Sequence, residues 1–128
     1  MTHVLVFHDV DVWRQMMTEV CTGEGYVVSV ASTVGDALTA LRSSPHPLVV
    51  VAERDHSSVH PDGPFFHIIH DHPEQYGRHL YIALHAWLLS DDEKWLLESM
   101  NVLLLTYPFT VNELLALIEK QAARLPWS

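Results

Sequence analysis

The 128-residue chain reads as a single-domain α/β protein built on a doubly wound parallel sheet. Three observations carry that reading. Strand-like and helix-like patterns alternate five times without a break, which calls for parallel strands joined by helices on both faces. The third strand is an uninterrupted apolar run, Leu48 to Val51, as expected of a strand covered on both sides. No linker, repeat or low-complexity stretch divides the chain, so one domain spans residues 1–128, with its core over about 2–124. The elements follow in order. The first strand is Val4–Phe7, followed by a helix near 11–23 whose Trp13, Met16, Met17, Val20 and Cys21 recur at three- and four-residue spacing. Gly23 and Gly25 end it, and Tyr26–Ala31 forms the second strand. A helix near 33–43 leads to the third strand, Leu48–Ala52, and a helix near 63–72 to the fourth, Leu80–Leu84. Ser90 with Glu93, and Thr110 with Glu113, have the spacing of capping boxes and open helices near 90–99 and 111–124, with the fifth strand, Val102–Leu105, between them. The crossovers are expected to be right-handed.

Composition narrows the function. Sixteen acidic residues against seven basic ones give a net charge of −9. The basic side chains are scattered, so no stripe exists to grip DNA or RNA. Cys21 is the only cysteine, which excludes a disulfide framework and a cysteine zinc site, and its place on an apolar helix face predicts an inert core thiol. No apolar run approaches the roughly 18 residues of a membrane span. The opening residues, Met1 to Phe7, lack the charged leader of a signal peptide, and a cytoplasmic location is expected.

Several segments resemble the bacterial response-regulator receiver family. Residues 3–28 match its opening: apolar strand, acidic pair, helix with Arg14, then Glu24-Gly25-Tyr26. Asp62-Gly63 and the following Pro64–Pro73 resemble its turn and third helix, and Leu97–Ile118 resembles its fifth strand, proline turn and last helix. The resemblance covers essentially the whole chain and implies a CheY-like, flavodoxin-like (βα)5 sheet with strand order 2-1-3-4-5. It also implies a cis bond at Tyr107-Pro108. Met100 stands where the family usually has glycine, and Asn101 is better suited to a left-handed cap there.

The same resemblance marks what is missing. Receivers bind magnesium through an acidic pair after the first strand and an aspartate, the phosphoacceptor, after the third. Here these positions hold His8, Asp9 and Ala52. The hydroxyl residue after the fourth strand is replaced by His85, and the lysine before Pro108 by Tyr107. Only Asp9 keeps the family's residue type. A methyl group cannot attack phosphorus, one carboxylate makes a poor magnesium site, and a neutral phenol does not replace an ammonium. The chain is therefore expected to be a pseudo-receiver: not an enzyme, without a cofactor, signalling by phosphorylation-independent protein contacts, transcriptional control included.

Two other readings stand beside it. Asp55 or Glu53 could be a relocated phosphoacceptor in a phosphorelay, although strand alternation turns Glu53 away from the pocket. Alternatively, the altered pocket could sense a metal or small molecule, with His8, Asp9 and His85 as candidate ligands, joined by Asp55 or Tyr107. His56, His60, His67, His70 and His72 are read as surface or partly buried histidines in preference to zinc ligands. The expected partner is a sensor, an effector or a second copy of the chain. It would dock on the face made by the helix near 90–99, the fifth strand and the last helix, with Trp95, Leu104, Leu115 and Ile118 as contacts. No direct nucleic-acid or membrane contact is expected.

Overall fold

A computed structural model describes residues 1–54, 59–86 and 88–125. Asp55 and His56, both considered above, and residues 126–128 lie outside the described residues. The elements are β1 (His3–Phe7), α1 (Asp11–Gly23), β2 (Val27–Ala31), α2 (Val34–Ser43), β3 (Val49–Glu53), α3 (Phe65–Asp71), α4 (Pro73–Tyr76), β4 (Leu80–His85), α5 (Asp91–Ser99), β5 (Leu103–Thr106) and α6 (Val111–Ala122). All strand pairs are parallel, in the order β2-β1-β3-β4-β5. No described helix is long and apolar enough to cross a membrane.

Strand alternation sorts the core into two layers. Leu5, Phe7, Val50, Ala52, Tyr81 and Ala83 face α2, α3 and α5, where Leu38, Leu41, Phe65, Ile68 and Leu97 cover them. Val4, Val6, Val49, Val51, Ile82 and Leu84 face α1 and α6, under Met17, Cys21, Leu114 and Ile118. Cys21 is thus a core residue, and burial pushes its thiol up to about 11, which keeps it protonated and unreactive.

The local signals act as expected. The hydroxyls of Ser90 and Thr110 accept hydrogen bonds from the Glu93 and Glu113 amides at 3.2 and 3.1 Å. Gly25 has φ 86°, and Asn101, not Met100, takes the left-handed position at φ 57°. The Tyr107-Pro108 bond is cis. Two differences from the sequence reading matter for the site: β3 and β4 each run one residue further than expected, to Glu53 and His85. The short α4, opened by Pro73, was not anticipated.

Candidate functional site

The carboxyl ends of β1, β3 and β5 lie along one edge of the sheet, the usual ligand edge of such folds. Because β3 continues through Glu53, alternation puts that side chain on the α1/α6 face, opposite Ala52. It does turn away from Ala52, as the sequence suggested, but it does not leave the site. Its Oε2 lies 2.5 Å from His8 Nε2 and accepts a hydrogen bond from the Tyr107 hydroxyl at 2.9 Å. His8 Nε2 and the Tyr107 hydroxyl are themselves 2.9 Å apart. His8 and Glu53 are both buried. Above them, Trp13 meets Tyr107 edge-on with ring centroids 5.2 Å apart, and Phe109 packs on both.

The expected single pocket is therefore divided by the sheet. Ala52 lies on the other face, wholly buried beside Phe7, Phe65 and Ala83. His85 follows Ala83 on that side, with Nε2 3.0 Å from the Thr106 hydroxyl. His8, Asp9 and His85 do not converge as a ligand set. Among the described residues, the donors that do converge are His8, Asp9 and Glu53, within 4.8 Å of one another. Sequence reasoning missed Glu53 as a member because it treated the pocket as one-sided; the signal that could have found it was the same alternation, applied to His8 as well.

The donor chemistry decides what this group can hold. The Val10 amide donates to His8 Nδ1 at 3.0 Å, so Nδ1 carries a lone pair and the ring hydrogen sits on Nε2, facing Glu53. Asp9 lies 3.6 Å from Nδ1, beyond hydrogen-bond range. A metal-ligating histidine instead has its second nitrogen donating to an acceptor. Ala52 contributes no oxygen, and of the two carboxylates beside His8, that of Glu53 already accepts from the Tyr107 hydroxyl. The divalent cation that this fold family implies does not fit the residues present.

The remaining candidates fall elsewhere. His67 is exposed, His70 contacts Asp71 and lies 6.1 Å from the Trp95 ring, and His60 Nδ1 accepts from the Asp62 amide. Of the four residues proposed for docking, Ile118 is fully buried in the core. That corrects the expectation: its i+4 spacing from Leu114 aims it at Val51 and Leu84, not at solvent. Leu104 and Leu115 are half-buried, and Trp95 is 65% exposed, with its ring beside α3. A cleft of about 630 Å³ lies between α3 and α5, lined by Phe65, Phe66, Leu96 and the Arg54–Glu93 ion pair.

The sequence matches no family model and no curated protein sequence. Solved structures match over nearly the whole chain. A response regulator receiver domain protein (CheY-like) from Methanospirillum hungatei JF-1 superposes with a TM-score of 0.81 at 14% identity, covering 97% of this chain and 95% of that one. Chemotaxis protein CheY4 of Vibrio cholerae gives 0.74 at 21% identity, covering 94% and 98%. The beryllofluoride-activated NtrC4 receiver domain dimer gives 0.79 at 22% identity, covering 97% and 98%. The chain has the CheY-like receiver fold, with the strand order and crossovers of that class.

Proposed function

We propose that this protein is a pseudo-receiver: a non-enzymatic, cytoplasmic signalling module that works by phosphorylation-independent protein contacts, transcriptional control included. The observation that carries the reading is Ala52. At the end of β3, where the fold's chemistry needs a carboxylate, a methyl group is buried completely among apolar neighbours. A methyl group offers neither a nucleophile nor a ligand atom, and Tyr107 brings no positive charge to balance a phosphoryl group. Glu53 is a poor substitute acceptor, because its carboxylate is buried, accepts from the Tyr107 hydroxyl and stands against the His8 ring.

The output surface is the exposed or half-buried remainder of the α5, β5 and α6 region, Trp95, Leu104 and Leu115, offered to a sensor, an effector or a second copy. Incubation with acetyl phosphate and magnesium, followed by intact mass measurement, tests the reading. An unchanged mass is expected. A stable phosphoryl adduct on any carboxylate, Asp55 included, would replace this reading with a relocated acceptor.

A further inference from the structure

We propose that His8, Glu53 and Tyr107 form a proton-bridged clamp that holds the carboxyl ends of β1, β3 and β5 in one arrangement and occupies, with a proton, the place of a cation. This goes beyond the absence of phosphotransfer, because it states what keeps the sheet edge in a single form.

The three residues come from three separate crossings of the sheet, 54 and 99 positions apart in the pairs that touch. Each contributes a different role. Glu53 Oε2 is the acceptor, the Tyr107 hydroxyl donates to it at 2.9 Å, and His8 Nε2 bonds the Tyr107 hydroxyl at 2.9 Å while standing 2.5 Å from Oε2. The direction of the His8 bond is set from outside the triad, since the Val10 amide occupies Nδ1. The guanidinium of Arg14 donates to the His8 carbonyl at 2.7 Å, fixing the backbone that carries the ring. Trp13 and Phe109 pack on Tyr107, which removes water that would compete for the carboxylate. Asp9 is the other charged group beside His8, and it stands 3.6 Å from Nδ1.

A divalent cation at Glu53 and Nε2 would have to expel the Nε2 hydrogen. The displaced hydrogen has no place on Nδ1, which already faces an N–H. Cation binding and the observed amide contact are thus mutually exclusive. The same ties attach Tyr107, at the start of the β5–α6 turn, to β1 and β3, so that turn has a single seating.

Two measurements test the clamp. In the wild-type protein, ring nitrogen spectra of His8 should show an unprotonated Nδ1 and a protonated Nε2, unmoved by magnesium or by zinc added separately. In hydrogen exchange, Tyr107→Phe and Glu53→Leu should each speed exchange across residues 107–111 by about tenfold, and the double variant should add little more, since either change removes the same bond. A protonated Nδ1, a metal-dependent shift of the His8 ring, or fully additive effects would overturn the clamp. The wild-type ring spectrum decides even if a variant fails to fold. Failure here would leave the mass test of phosphorylation untouched, so the two readings fall separately.

Discussion

The imidazole of His79 ties two segments that are distant in sequence: Nδ1 accepts a hydrogen bond from the Leu48 amide at 2.9 Å, while Nε2 donates to the Leu41 carbonyl at 2.9 Å. The end of α2, the start of β3 and the turn into β4 are held at one buried point. Both ring nitrogens are used in the neutral form, and burial pushes the imidazole down to about 4 from an ordinary value of 6.5.

That tie makes stability pH-dependent with a definite sign. The fold favours neutral His79, so its contribution is complete above pH about 6.5 and falls as pH drops toward 4, where the unfolded chain binds a proton that the folded one refuses. Through this window the loss approaches about 1.4 kcal/mol per pH unit for one such group. Urea unfolding at pH 7 and pH 5 should show it. His79→Gln should be less stable at pH 7 and show a flatter slope between the two.

A carboxylate introduced at residue 52 should not by itself confer phosphorylation. Ala52→Asp puts an acid among Phe7, Phe65 and Ala83 without cation or ammonium to balance it. A loss of about 2 kcal/mol or more is expected in thermal unfolding, with no mass gain from acetyl phosphate. A phosphorylated Ala52→Asp protein would show that the rest of the pocket is still competent.

Ile118 and Trp95, similar in the sequence reading, should part in experiment. Ile118→Ala opens a cavity under Val51 and Leu84 and should cost about 2–5 kcal/mol in urea unfolding. Trp95→Ala should change stability by no more than about 0.5 kcal/mol, because the ring is largely exposed. If Trp95 carries a partner contact, its loss appears instead in light scattering or pull-down of the bound partner.

Gln121 is a polar side chain with no exposed surface, held by donation from Nε2 to the Tyr81 carbonyl at 2.9 Å and the Asn101 carbonyl at 3.3 Å. Gln121→Leu keeps the bulk but leaves the carbonyls without that donor. A loss of about 1–3 kcal/mol is expected, read from the urea midpoint at constant m-value.

The fold was legible because its signals are local and mutually consistent. Periodicity placed every strand to within a residue or two, and the hydroxyl–carboxylate pairs marked where α5 and α6 begin. The site was only half legible. Positions along the chain identified His8, Asp9, Ala52, His85 and Tyr107, but spacing does not say on which side of a sheet a side chain emerges when its strand runs one residue longer than expected. Glu53, read as turned away from the site, is at its centre, whereas His85 and Ala52 lie on the opposite face. His79 and Gln121 give no signal in sequence either, since a buried polar residue is recognised only by the backbone groups that other segments bring to it.

The amino-acid order alone determined the layered α/β architecture, which follows from short-range patterns, while its resemblance to receivers supplied the expected cis bond before Pro108. Which nitrogen of His8 carries hydrogen, which carboxylate it meets and which apolar side chains face solvent were decided by tertiary structure. The His8 tautomer is set by the nearby Val10 amide once the turn after β1 forms, whereas its carboxylate partner and the solvent-facing side chains depend on atoms tens of positions away that only the assembled sheet brings together.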